Sequence, residues 1–505
     1  MDAYLLIDFG STYTKLTAID IKKEEILATS KDITTIEEDI MIGFNKAYNK
    51  LLKDLEGKEV NFVRRLACSS AAGGLKMIAI GLVPELTAEA AKRAALGAGA
   101  RVLKTYSYEL TNIEMKEIKK SDIDIILLAG GTDGGNKECV IHNAKMLVKH
   151  GINIPVVVAG NKGANDDISE LFSDADIPYF IAENVMPKLN SLNVEPAREE
   201  IRKIFMNRIV DAKGLTNAEE YINGILMPTP AAVLKAARVL SEGSDKEEGI
   251  GEVVVIDIGG ATTDVHSIAD GDPTKAGVTL RGLEEPLAKR TVEGDLGMRY
   301  SALSLWEAAG TRKIKKYLKN KELDVEENCT LRSKDIMMVP KTEDEVDFDE
   351  SMARIATEIA MERHCGYVEP VYSPLGVVYT QYGKDLMEVK YMIGTGGVLV
   401  HSKDAGNILQ AGKFSKENLN SLRPQRAKLL LDKTYILSSM GLLAEELPDL
   451  AVRIMKKYLV EIDYKEDKED KEDKENDYID EKKIELFKQQ FKDAQSFDNH
   501  CSGEF

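Results

Sequence analysis

Two stretches of this chain combine carboxylates, hydroxyls and glycines in a pattern suited to holding phosphate. The first is Ile7-Asp8-Phe9-Gly10-Ser11-Thr12-Tyr13-Thr14-Lys15, at the end of an apolar run. Glycine lets the backbone turn closely against an anion, and Ser11 and Thr12 add hydroxyls and N–H groups. Asp8, fixed at a strand end, can hold a hydrated magnesium ion through water. An ordinary β-hairpin turn has the same composition, so this motif alone decides nothing. The second, Val253-Val-Val-Ile-Asp257-Ile-Gly259-Gly260-Ala261-Thr262-Thr263-Asp264-Val265, repeats the logic about 250 residues later. A third, Tyr391-Met-Ile-Gly394-Thr395-Gly396-Gly397, ends a strand and opens a helix, where glycines would let an adenine ring lie against the backbone.

The elements that must position these loops can be read from periodicity. Strands are expected at 3–9, 14–21, 24–30, 61–67 and 253–256, with Asp264 starting a return strand. Helices are expected over Ile36–Leu55, Thr87–Leu103 with Thr87 as N-cap, and Pro230–Leu240. Between 105 and 225, strands at 123–129, 156–159 and 179–182 alternate with helical stretches, the pattern of a parallel α/β insertion. Beyond Asp463, repeated Lys-Glu-Asp triplets offer nothing apolar to bury and read as a linker or frayed helix; Tyr478–Phe491 is the last helix-like stretch.

Composition bounds the rest. A chain of 505 residues exceeds one hydrophobic core, and 43% hydrophobic with 30% charged residues is globular. The net charge of −18 argues against a nucleic-acid groove. No apolar run reaches the ~20 residues of a membrane span, and the N-terminus lacks the marks of a signal peptide. The five cysteines make no CxxC pair, which fits reduced thiols in the cytoplasm, and no Cys/His cluster suggests a structural metal.

In this order the motifs resemble the actin, sugar-kinase and heat-shock-chaperone ATPase superfamily. The chain offers a first phosphate loop (Asp8–Lys15), a connecting helix beginning near Pro228-Thr-Pro-Ala-Ala-Val233, a second phosphate loop (Asp257–Asp264) and an adenosine loop (Gly394–Gly397). A second connecting helix is expected at Leu437–Glu446, with Gly441 at the close crossing. The resemblance implies two RNase-H-like α/β halves around a nucleotide cleft, with an α/β insertion in the first half. It also implies ATP with Mg²⁺. Gly10, Ser11, Thr12, Lys15, Gly259, Gly260, Ala261, Gly394, Gly396 and Gly397 would bind the nucleotide. Asp8 and Asp257 would organise the metal, and Thr262 and Asp264 would help orient the attacking water.

A closer resemblance covers nearly the whole chain. Ser69-Ser-Ala-Ala-Gly-Gly-Leu-Lys-Met77, Leu86-Thr-Ala-Glu-Ala-Ala91, Leu127-Leu-Ala-Gly-Gly-Thr-Asp-Gly-Gly135, Arg290-Thr-Val-Glu-Gly-Asp-Leu-Gly-Met-Arg299 and Ile393-Gly-Thr-Gly-Gly397 are similar to the MutL (GlmL) proteins encoded beside adenosylcobalamin-dependent glutamate mutase and related aminomutases. These are unrelated to the mismatch-repair protein of the same name, whose DxGxG lid signature is missing. The resemblance implies an ATP-driven factor that reactivates a mutase by exchange of damaged cobalamin, with the mutase subunits as partners.

Other signals weigh less. Asp264-Val-His266-Ser-Ile-Ala269 nearly matches the DxHxxG cobalamin-ligand signature but lacks its glycine, and a histidine on a return strand explains it. Gly130–Lys137 approaches a Walker A loop without its Ser/Thr; it is either a ligand loop at a sheet crevice or a plain strand–helix turn. Asp166-Asp167, Glu199-Glu200 and Glu445-Glu446 read as solvated helix faces. Arg290–Arg299 is expected to start a long helix, with Glu293 and Asp295 near the nucleotide. The expected divisions are 1–104, 105–225, 226–460 and 461–505. Rival functions are a small-molecule kinase, a hydantoinase-like enzyme or an actin-like filament protein; a dehydratase activator would need cluster-binding cysteines that this spacing does not supply.

Overall fold

The computed structural model describes residues 1–35, 39–70, 75–210, 225–373 and 376–464. The beginning of the expected helix at Ile36, the loop at 71–74 and everything from 465 onward, including Tyr478–Phe491, lie outside the described residues.

Two sheets share one plan. In the first, β1 (Asp2–Phe9), β2 (Tyr13–Asp20) and β3 (Glu25–Ile33) form an antiparallel meander. β4 (Asn61–Ser69) and β10 (Ile225–Pro228) add in parallel beyond β1, giving the order β10-β4-β1-β2-β3. In the second, β11 (Val253–Ile258), β12 (Thr263–Ile268) and β14 (Ala288–Glu293) form the meander. There β17 (Tyr391–Thr395) and β18 (Lys428–Leu431) add in parallel, with β19 (Val460–Glu461) at the edge. The strand order 3-2-1-4-5 is therefore duplicated, and the chain has the two-lobed RNase-H-like architecture. β1 is buried from Ala3 to Phe9 and β11 almost throughout, so the central strand of each half reads as an apolar run rather than an alternation.

The connecting helices, Thr229–Glu242 and Leu437–Glu446, cross between the two sheets. A Cβ on Gly441 would stand 1.9 Å from the Ala232 carbonyl oxygen, so only glycine permits this approach. Leu6 and Ile19 of the first sheet and Val253, Val255 and Ile268 of the second pack on Ala236, Leu240, Met440 and Leu443 of these helices in one continuous core. The lobes are thus joined through a shared apolar layer.

The insertion fills the crossover from β4 to β10. Its sheet, all parallel, has the order β6-β5-β7-β8-β9, from β5 (Lys76–Gly81), β6 (Arg101–Ser107), β7 (Ile125–Leu128), β8 (Val156–Val158) and β9 (Tyr179–Ile181). It begins well before residue 105, and the 104/105 division falls inside β6. The helix expected over Thr87–Leu103 is shorter. α1 is Ile40–Asp54, capped by the Asp39 carboxylate, and α2 is Glu89–Gly97. Gly99 at φ +92° then turns the chain into β6. Thr87 sits in the turn before α2, where its hydroxyl accepts the N–H groups of Leu82 and Val83 instead of capping the helix.

A small sheet, β13 (Val278–Arg281), β16 (Gly376–Tyr382) and β15 (Tyr367–Ser373), flanks the second half. Among the described residues, no helix is long and apolar enough to cross a membrane.

Candidate functional site

The two Asp-containing hairpins have the same turn. Gly10 N–H donates to the Tyr13 carbonyl at 3.1 Å, and Gly259 N–H to the Thr262 carbonyl at 2.9 Å. A Cβ at these glycines would lie 2.6 and 3.0 Å from those same oxygens. Gly10 and Gly259 therefore spend their N–H groups on the turn. The N–H groups of Ser11, Thr12, Gly260 and Ala261 have no intramolecular acceptor among the described residues, and a phosphate would supply one. The hairpins face each other: a Cβ on Gly260 would lie 4.0 Å from Thr12 Oγ1.

Register places Asp8 opposite Lys15 and Asp257 opposite Asp264. In the first half the cross-strand pair is a salt bridge. Lys15 Nζ lies 2.9 Å from Asp8 Oδ2 and 3.6 Å above the ring of Tyr435. Burial works to lower the Lys15 pKa, but Asp8, the Tyr435 oxygen and Asp257 outweigh it and hold the ammonium above the ordinary lysine range. Asp8 is wholly buried and also accepts from Thr229 Oγ1 (2.7 Å) and Ser438 Oγ (2.9 Å), one from the start of each connecting helix. These partners leave Asp8 fixed in the lobe junction.

In the second half the cross-strand pair is two carboxylates. Asp257 has no salt bridge among the described residues, and its pKa is pushed up to about 7, by burial first and then by Asp264, against the pull of Lys15. Asp264 accepts Thr262 Oγ1 at 3.1 Å on Oδ2 and the guanidinium of Arg290 on Oδ1. A divalent cation beside Asp257 would relieve the like-charge pair, so this donor set fits a metal carried on a polyphosphate. Among the described residues no three His, Cys, Asp or Glu side chains converge as metal ligands.

The adenosine-loop residues come to the same place. Gly396 has φ +101°, and a Cβ there would lie 2.4 Å from the Ile258 oxygen and 3.0 Å from Asp257 Oδ1. Gly397 has no atom within 4 Å of its Cβ position, so its backbone borders open space. Gly394, by contrast, points into Leu409 and Leu399 and is a packing glycine. The helix that Gly397 opens is only five residues, Gly397–His401.

Sequence reasoning missed Asp432, Ser438, Thr229 and Tyr435. Asp432 is wholly buried and accepts the N–H groups of Ile436 and Leu437 at 2.9 and 3.0 Å, and Thr395 Oγ1 at 3.0 Å. It ties the adenosine loop to the second connecting helix, and an Asp four to five residues before a helix was the available signal. Burial raises its pKa.

The expected helix over Arg290–Arg299 is not formed. Residues 290–293 finish β14, opposite His266 to Thr263, and the next helix starts at Ala302. Glu293 and Asp295 are bound by Arg363. The segment instead braces the second phosphate loop from outside. Met298 N–H donates to the Gly259 carbonyl (3.0 Å), Arg299 N–H to Gly260 (2.8 Å) and Ser301 Oγ to Ala261 (2.7 Å). A Cβ on Gly297 would strike the Ala261 carbonyl carbon at 2.4 Å. Three successive loop carbonyls are thus held from one side.

Among the discounted signals, His266 is wholly buried on β12 and both ring nitrogens lack a partner among the described residues. Burial and then Arg290 depress its pKa to about 3. The Gly130–Gly135 loop is closed by the insertion's own asparagines: Asn161 Nδ2 donates to Gly135 and Asn184 Nδ2 to Gly131. Asp166 and Asp167 are exposed.

A family model described as MutL protein matches residues 4–459. Protein MutL of Clostridium tetanomorphum is 72% identical over 462 residues, covering 92% of this chain and 100% of that relative. Among solved structures, the activator of the 2-hydroxyisocaproyl-CoA dehydratase from Clostridium difficile with bound ADPNP aligns at 10% identity. That alignment covers 90% of this chain and 97% of the activator, with a TM-score of 0.32. Gluconate kinase from Lactobacillus acidophilus aligns at 11% identity over 100% and 99% of the two chains, with a TM-score of 0.33. Likeness at these scores says nothing about chemistry. The family match and the high-identity relative do decide membership: this chain belongs to the MutL protein family.

Proposed function

We propose that this protein binds and hydrolyses ATP and uses the cycle to reactivate an adenosylcobalamin-dependent mutase by promoting exchange of damaged cobalamin. The observation that carries the nucleotide part is the meeting of two matched Asp-Gly hairpins, where a Cβ on Gly260 would lie 4.0 Å from Thr12 Oγ1 and Gly396 stands against Asp257. The mutase part rests on family membership.

In this reading Ser11, Thr12, Gly260 and Ala261 present N–H groups and hydroxyls to the phosphates, and Gly396 and Gly397 border the adenosine. Asp8 anchors the first hairpin to both connecting helices, and Lys15 supplies positive charge beside it. Asp257, left without a protein cation, would hold Mg²⁺ through water, and the ion would supply charge neutralisation of the phosphates. Asp264, kept in place by Arg290 and Thr262, orients the attacking water. Such hydrolysis depends chiefly on positioning and charge stabilisation. Contacts to one nucleotide from both lobes favour a closed arrangement, and their loss on hydrolysis releases it.

The test is a recovery assay with the mutase encoded nearest this gene, stalled by turnover or oxygen. Activity should return only with this protein, Mg-ATP and fresh adenosylcobalamin together, and an Asp264→Ala variant should bind the mutase without restoring it. Recovery that needs no ATP would refute the reading. So would absence of recovery together with rapid phosphorylation of a small molecule, which would make the protein a kinase.

A further inference from the structure

Arg290 stands on β14, where its side chain is 3% exposed. Its Nε and Nη2 donate to Asp264 Oδ1 at 3.0 and 2.7 Å. Nη1 donates in the other direction, to the carbonyls of Leu96 (3.0 Å) and Ala100 (3.2 Å). Those carbonyls lie at and just past the end of α2, the helix joining the first two strands of the insertion. The last carbonyls of a helix have no intrahelical donor, and a helix C-terminus favours a cation. One planar guanidinium therefore serves the acidic residue of the second phosphate loop and the end of a helix in the other lobe.

Neighbouring contacts extend this junction. Arg93, on α2, donates Nη1 to the Glu284 carbonyl at 2.9 Å and Nη2 to Glu285 Oε1 at 3.0 Å. The Arg101 guanidinium, at the start of β6, covers Gly294, where a Cβ would lie 2.8 Å from Nη2. The corner from α2 to β6 is seated along β14 and its flanks.

We infer that Arg290 is a positioning residue coupling the hydrolytic site to the insertion. Its donors are fixed in one plane, so Asp264 and α2 cannot shift independently without stripping one edge of a buried charge of its partners. A change at Asp264 on nucleotide binding or hydrolysis is passed to α2, and from α2 to β5 and β6. The insertion is then the part of the molecule whose position reports nucleotide state. This rests on the ATP reading above and adds the route by which that state leaves the cleft.

Lysine separates the two roles, because it keeps the charge beside Asp264 but lacks the fork that reaches the α2 carbonyls. Hydrogen–deuterium exchange of residues 89–107 should change in the wild-type protein when Mg-ATP binds. In Arg290→Lys that response should be lost, while the concentration of Mg-ATP giving half-maximal rate stays within about threefold. kcat should fall roughly 10- to 100-fold, since small displacements at a reacting centre have effects of that size. Arg93→Ala, which leaves the phosphate loop alone, should keep kcat within about twofold yet weaken the exchange response. A wild-type protein that binds Mg-ATP with no change in exchange over 89–107 overturns the coupling, whatever becomes of the variants. So does an Arg290→Lys protein whose response matches wild type. A wild-type protein whose melting is unmoved by Mg-ATP refutes the nucleotide reading itself.

Discussion

Asp257 faces Asp264 across the second hairpin in a partly buried site, with its pKa lifted from 3.8 to about 7. Between those values the folded protein holds a proton that the unfolded chain has released. Stability contributed by this group is therefore full below about pH 4 and falls as pH rises through 7. At 1.36 kcal/mol per unit the whole shift corresponds to about 4 kcal/mol. Solvent reaching the partly exposed carboxylate reduces the expected cost to about 2 kcal/mol. Asp257→Asn removes the charge and keeps the shape. Without ligand, the variant should be more stable than wild type by about 2 kcal/mol at pH 8 and by close to nothing at about pH 3.5. Urea unfolding of both proteins across this range gives the difference curve, and other titrating groups, including the depressed His266 and His364, cancel in it. The same variant should lose most of the stabilisation that Mg-ATP gives wild type, because the carboxylate that repels its neighbour is the one a cation would relieve. A flat difference curve would refute the like-charge account of the site. A variant that gains stability at pH 8 and still responds fully to Mg-ATP would remove Asp257 from the metal site.

Mg-ATP at a hundredfold excess over its Kd should stabilise the wild-type fold by about 2.7 kcal/mol, and ATP with a chelator by much less; thermal melting measures both. Asp264→Ala should lower ATP turnover at least ~100-fold, whereas Asp166→Ala, on an exposed helix face, should leave it unchanged in a steady-state hydrolysis assay. Gly441→Ala should destabilise by about 3 kcal/mol or more in urea unfolding, since its Cβ would meet the Ala232 backbone at 1.9 Å. A chain ending at Tyr464 should melt like the full chain and bind Mg-ATP. One ending at Ile462 should lose stability, because Asp463 packs on Gly406 and Lys413 lies 5.1 Å over the Tyr464 ring.

How much of this could be read in the sequence depended on whether the signal was local. Both hairpins were legible because an apolar run, an Asp and a glycine turn lie within a dozen residues, and Leu437–Glu446 was legible only through its place in the ordered set of motifs that the resemblance supplies, being buried without a break from Leu437 to Ala444. Thr229 and Ser438 are ordinary polar residues that acquire meaning only when the starts of the two connecting helices converge on Asp8, and Asp432 offers no more than the local signal of an acid shortly before a helix. β6 is hard to separate from the preceding helix in the sequence because its mostly exposed first residues, Arg101 to Lys104, lack a buried-strand pattern and follow an Ala-rich run without a proline. The helix expected to start in Arg290–Arg299 fails for a non-local reason: tertiary partners on Asp264, Arg363 and the loop carbonyls fix the segment as a strand and a brace.

Duplication of the fold puts Lys15 and Asp264 at equivalent positions, each opposite the hairpin aspartate of its own half. Lys15 completes an ion pair inside the first hairpin, and two hydroxyls from the connecting helices saturate Asp8 further. Asp264 does the opposite. It repels Asp257, and its own compensation comes from Arg290, outside the hairpin and shared with another domain element. A symmetric pair of salt bridges would make two equally inert turns. Replacing one lysine by an aspartate leaves one hairpin as an anchor and gives the other a carboxylate that gains from a cation, together with a partner whose position depends on the insertion. In the nucleotide reading, that single difference divides binding from chemistry and makes the chemical half the one able to signal outward.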